Sequence, residues 1–147
     1  MKKLSHSELI IRAERLLRNS FHCRSILTEL VANTRSRETP DAIGWVRNYS
    51  ILVECKASRA DFRADQHKLS RSYIPGLGHW KIYLTEKGLL DGIDIPDGWG
   101  LYEVCNKTIR FNRGIKYCNT AQPPNESCRD SEVAMLVSAL ERHITKR

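Results

Sequence analysis

The chain has 147 residues, 41% of them hydrophobic and 28% charged, a balance that suits one soluble globular domain and excludes a mainly disordered chain. Its 24 Lys and Arg against 17 Asp and Glu give a net charge of +7, which fits a polyanionic partner as well as simple solubility. Apolar runs of only a few residues exclude a membrane-spanning helix, and the five scattered cysteines, with no CxxC pair, argue against a disulfide framework or a zinc site.

The first predicted element is a helix over Ser5–Arg18. Leu9, Ala13, Leu16 and Leu17 recur at helical spacing, and Ser5 with Glu8 supplies an N-terminal capping box. Arg12, Arg15 and Arg18 fall on one flank and read as a solvated face. Cys23–Val31 is rich in β-formers and predicts a strand containing Glu29; a charged loop, Asn33–Thr39, follows.

Ala42–Val46 and Tyr49–Lys56 predict a hairpin around Arg47-Asn48, although that turn lacks the favoured glycine. Arg59 to about Tyr73 predicts a helix, with Ser58 and Asp61 at its start and Pro75-Gly76 as its stop. His79–Thr85 alternates as a strand. After a long turn region over Gly88–Gly98, Trp99–Val104 and Thr108–Phe111 predict a second hairpin around Cys105-Asn106-Lys107. Asp130–Lys146 is an amphipathic helix whose apolar positions are Val133, Leu136, Val137, Leu140 and Ile144. The order predicts one α/β (α+β) domain over residues 1–147, a central mixed sheet flanked by helices.

Charges interrupt the first hairpin. Alternation places Leu52, Glu54 and Lys56 on one face of the second strand and Ile51, Val53 and Cys55 on the other. A two-residue turn at Arg47-Asn48 puts Asp41 opposite Glu54. Two carboxylates facing each other in a sheet repel, and burial raises the cost. A divalent cation removes the conflict, because Mg²⁺ takes carboxylate and carbonyl oxygens together with water. Glu29 offers a third carboxylate, and Lys56 sits one pleat beyond Glu54. This set suits phosphodiester hydrolysis, in which the metal polarises a phosphoryl oxygen and lysine offsets developing charge. The plainer alternative is a solvated strand face, with Asp41 following Pro40 in a turn.

Pro40-Asp41, then Glu54-Cys55-Lys56 after an apolar strand, resembles the PD-(D/E)XK nuclease superfamily, and the segment Ser58–Asp65 is similar to the corresponding stretch of MmcB-like DNA-repair proteins and related phage proteins. The resemblance spans roughly residues 5–85 and implies a restriction-endonuclease-like αβββαβ core, with 86–147 as an extension. It implies that Asp41, Glu54 and the backbone carbonyl of Cys55 bind Mg²⁺, with Mn²⁺ as a substitute, and that Lys56 is the catalytic lysine. The extra acid is Glu29 or, as second choice, Glu14. The expected activity is structure-dependent or nonspecific cleavage of DNA in repair, recombination or phage DNA metabolism, with RNA as an alternative substrate. A second expectation is a non-catalytic DNA-binding accessory protein; a third is an interaction domain whose charges are incidental. Arg59, Arg63, Lys68 and Arg71 on the helix after the catalytic strand are the expected phosphate contacts. The expected setting is the cytoplasm, without membrane association, and a homodimer is expected from the paired sites of many relatives.

Overall fold

A computed structural model describes residues 3–29, 39–69 and 76–145. Helix α1, His6–Arg15, starts at Ser5, whose hydroxyl accepts a hydrogen bond from the Glu8 amide at 3.2 Å. It runs into a π-helical turn, Leu16–Ser20, in which the Phe21 amide reaches back to the Leu16 carbonyl. Six strands form one mixed sheet in sequence order: β1 (Ser25–Thr28), β2 (Ala42–Val46), β3 (Tyr49–Cys55), β4 (Trp80–Glu86), β5 (Trp99–Cys105) and β6 (Thr108–Gly114). β1–β2, β2–β3 and β5–β6 are antiparallel, whereas β3–β4 and β4–β5 are parallel. Helix α2 (Arg59–Leu69) lies between the parallel strands β3 and β4, as a parallel pair requires a crossover, and α3 (Arg129–Thr145) ends the fold. No helix among the described residues is long and apolar enough to cross a membrane.

The two faces of β3 divide the core. Ile51, Val53 and Cys55 pack beneath α1 with Leu9, Ala13 and Leu17, while Leu52 packs with Phe62 of α2, Tyr83 and Leu101 on the opposite side. Each such apolar side chain contributes about 1.5–3 kcal/mol when fully buried, so α1 is anchored by its predicted stripe.

α3 is anchored differently from expectation. Val133, Leu136, Val137, Leu140 and Ile144 are all exposed, and the buried residues are Ser131, Glu132 and Met135. The cause is a polar anchor. Glu132 Oε1 accepts from Trp45 Nε1 at 2.9 Å; its Oε2 accepts from Ser50 Oγ at 2.7 Å and also from Ser127 Oγ. His79 joins through its Nδ1, which accepts from the Ser50 amide at 3.0 Å. Hydrogen bonds to a charged acceptor are worth roughly 1.5–3 kcal/mol each, so Glu132 holds α3 to the sheet by polar contacts.

Other boundaries shift for local reasons. β1 ends at Thr28, so Glu29 lies beyond the strand rather than within it; its backbone takes a left-handed φ of 47° while its amide donates to the Asp41 carbonyl. The second hairpin turns on two residues, Asn106-Lys107, because Cys105 pairs with Thr108, and β6 continues to Gly114. The expected run of α2 to Tyr73 and most of the charged loop before Thr39 lie outside the described residues.

Candidate active site at the end of the first hairpin

The site begins with a register. Ala42 pairs with Val53, Ile43 with Leu52 and Val46 with Tyr49 across the Arg47-Asn48 turn. Arg47 adopts φ 57°, the left-handed region where glycine is usual, so the pairing of two well-packed strands imposes a conformation that arginine disfavours. One step past the Ala42–Val53 pair, Asp41 and Glu54 meet, and their carboxyl groups share a hydrogen bond.

Asp41 is held from two sides. Its Oδ2 accepts from the Cys55 amide at 2.8 Å, and its Oδ1 lies 3.1 Å from Nε2 of His6, at the start of α1. Glu54 extends toward the α2 side of the sheet. Burial, followed by the neighbouring Asp41 charge, holds its carboxyl well above the usual carboxylate range, while Lys56 opposes that rise. Lys56 is buried, only 6% exposed, and its amide still donates to Leu84 of β4 at 3.0 Å. Its ammonium forms an ion pair with Asp65 Oδ2 from α2.

Cys55 turns its thiol into the α1 core, where burial and the nearby Asp41 and Glu54 charges raise its pKa strongly. That thiol therefore stays protonated and away from the carboxylates, in keeping with a role confined to the backbone.

The other expected residues are distributed unevenly. Glu29 is exposed at the exit of β1; its charge acts on Cys55, whereas the third carboxylate felt by Glu54 is Asp65. Glu14 is engaged on α1 in an i,i+4 ion pair with Arg18 at 2.9 Å. Arg59 donates to the carbonyls of Leu89 at 2.8 Å and Asp91 at 3.5 Å, which ties α2 to the segment before β5. Arg63 is exposed on α2. Arg71 and the side chain of Lys68 lie outside the described residues.

Asp65 and His6 were not expected here. Asp65 had a detectable signal: it stands three residues after Phe62, which is buried on the sheet, so helical spacing turns it the same way. His6 had none, since only the docking of α1 brings it to Asp41.

Among the described residues no group of three or more His, Cys, Asp or Glu side chains converges as a metal site. The charge balance nevertheless suits a small hard cation. Among the described residues, Asp41, Glu54 and Asp65 bring three carboxyl groups against the ammonium of Lys56. Mg²⁺ typically takes one or two carboxylates and keeps several waters, so Asp41, Glu54 and a backbone carbonyl are a sufficient donor set.

No protein-family model matches the chain, and no curated protein matches it. Among solved structures it is similar to the SPO1766 protein of unknown function from Silicibacter pomeroyi. The TM-score is 0.63 at 20% identity, over 96% of this chain and 90% of that one. At that identity the likeness concerns the fold alone.

Proposed function

We propose that this chain is a Mg²⁺-dependent nuclease of the PD-(D/E)XK kind, hydrolysing phosphodiester bonds of DNA without a sequence-reading module. The observation that carries the reading is the meeting of Asp41 and Glu54 at the end of one hairpin with Lys56 on the same side. The αβββαβ order through β4 supports a restriction-endonuclease-like core, and the net charge of +7 suits a polyanionic substrate.

Asp41, Glu54 and the Cys55 carbonyl would hold the cation, which when bound supplies Lewis-acid polarisation and a more acidic water. Asp41 is fixed for this by the Cys55 amide, so the end of β3 positions both carboxylates at once. Lys56 stabilises negative charge developing on the phosphoryl oxygens, and its ion pair with Asp65 orients the ammonium. Arg63, exposed on the adjacent helix, is available to a phosphate, whereas Arg59 first serves the fold.

One observation favours a second reading, a nucleic-acid-binding protein without turnover. Burial and the neighbouring Asp41 favour the protonated form of Glu54, which is a poorer metal ligand than a carboxylate. The deciding experiment incubates the protein with single-stranded, duplex, flapped and branched DNA in Mg²⁺ or Mn²⁺. The nuclease reading expects cleavage that Glu54→Ala and Lys56→Ala each abolish. Cleavage that survives both changes, or none with any substrate, overturns it.

A further inference from the structure

Away from the carboxylates, two cavities adjoin at Ser20. One, of about 700 Å³, lies between the end of the π-helical turn, the Arg47 turn and the segment following β6. The other, of about 350 Å³, lies between α1, the same turn and the start of β6. Arg47 and Lys116 line the first; Arg12, Arg15 and Lys107 line the second; and among the described residues no Asp or Glu lines either. The neighbouring Arg18, by contrast, is neutralised by Glu14.

Five like charges around two adjoining cavities repel one another, a cost that a bound polyanion would reverse. The larger cavity is lined in part by aromatic rings. Phe21 and Tyr117 line the larger cavity with ring centroids 4.5 Å apart, and Lys116 Nζ lies 5.9 Å from the Phe111 ring. The backbone is unusual here too: the wide π-helical turn forms part of both walls, and His22 and Arg47 are both left-handed.

Cations spread beside a cavity with a partly exposed aromatic ring, here Tyr117 backed by the buried Phe21, are an arrangement by which unpaired nucleic acid is held, phosphates on the cations and a base against the ring. The cations are spread along the groove rather than gathered at one point, which suits successive phosphates better than one small anion. A duplex, with its bases stacked inside, offers the rings nothing. We propose that this groove binds a single strand of nucleic acid through its phosphate backbone.

The groove is distinct from the acidic centre. Arg47 precedes β3 and Glu54 lies near its end, which separates them by roughly 20 Å of strand. The proposal therefore holds whether or not Asp41 and Glu54 support turnover, and a test in EDTA keeps the two questions apart.

Binding of a fluorescent oligothymidylate and of a matched duplex is measured by anisotropy in EDTA between about 50 and 200 mM salt. The full-length Arg15→Glu/Lys116→Glu variant is expected to bind the single strand at least about tenfold more weakly, with the salt slope reduced by about 1.4, two phosphate contacts' worth. Arg110→Glu/Arg142→Glu, which changes the net charge equally at exposed positions outside the groove, is expected to lose much less.

Cys118 provides a second readout that needs no variant. It is exposed in the larger cavity, and its thiol is acidified, first by the Thr120 hydroxyl at 3.2 Å, so it alkylates readily. The oligonucleotide is expected to slow its alkylation at least about fivefold while leaving Cys105 unaffected. Equal losses in the two double variants, unchanged binding by Arg15→Glu/Lys116→Glu, no protection of Cys118, or preference for duplex would each overturn the proposal.

Discussion

Asp41 and Glu54 stand side by side because a two-residue turn fixes the β2–β3 register, and the Cys55 amide then locks Asp41 in place at 2.8 Å. Desolvation, followed by the adjacent Asp41 charge, makes Glu54 retain its proton to a higher pH.

A stability signature follows. Glu54 binds its proton more tightly folded than unfolded, so between the ordinary carboxylate pKa and its raised folded value the native state holds more protons. Metal-free protein therefore loses stability as pH rises through that window. Glu54→Gln is expected to raise the melting temperature in EDTA at pH 7 by a few degrees and to flatten the pH dependence. Thermal melts from pH 4 to pH 8 check this; an identical pH profile in the variant would refute it.

The same proton competes with the cation. Mg²⁺ binding requires the ionised pair, so its affinity is expected to rise with pH and its binding to release protons. Calorimetry in buffers of different ionisation enthalpy measures the released proton directly. Mg²⁺ is also expected to raise the melting temperature of the wild type but not of Glu54→Gln.

If the chain is the nuclease proposed above, Asp65 positions Lys56 through their ion pair. Asp65→Asn is expected to lower kcat about tenfold with little change in KM, since it disturbs the lysine's placement and not substrate binding. Asp65 raises the Glu54 pKa, so the variant should also move the acidic limb of the pH–rate profile to lower pH. A purely structural role would leave that limb where it was.

Glu132→Ala removes one carboxylate and strands the Trp45 indole and the Ser50 hydroxyl. The expected loss is about 2–4 kcal/mol of unfolding free energy, read from denaturant titration. Glu132→Gln, which keeps an acceptor, should lose less. Val137→Ser on the exposed stripe should lie within about 0.5 kcal/mol of wild type.

The hairpin was legible because its information is local: a turn length and a period of two determine which side chains meet, and both are written in Asp41–Lys56. The α1 stripe was legible for the same reason, since Leu9, Ala13 and Leu17 bury as their spacing demands. What the sequence concealed depends on docking. His6 reaches Asp41, and Asp65 rather than Glu29 approaches Glu54, only once α1 and α2 lie on their own sides of the sheet. Helical periodicity misled for α3, because spacing shows which residues share a face but not that Glu132 on another face meets Trp45 and Ser50. The left-handed turn at Glu29 and the π-helical turn after α1 left no pattern to read.

The Glu132 anchor also orders events in time. Glu132 lies more than eighty residues after Trp45 and Ser50, the hairpin residues that it holds. During synthesis the hairpin bearing Asp41 and Glu54 can form long before α3 exists, but until then Ser50 Oγ and the Trp45 indole lack the acceptor that secures them. The centre is thus drafted early and fastened later, which makes α3 a checkpoint on a hairpin more than eighty residues upstream.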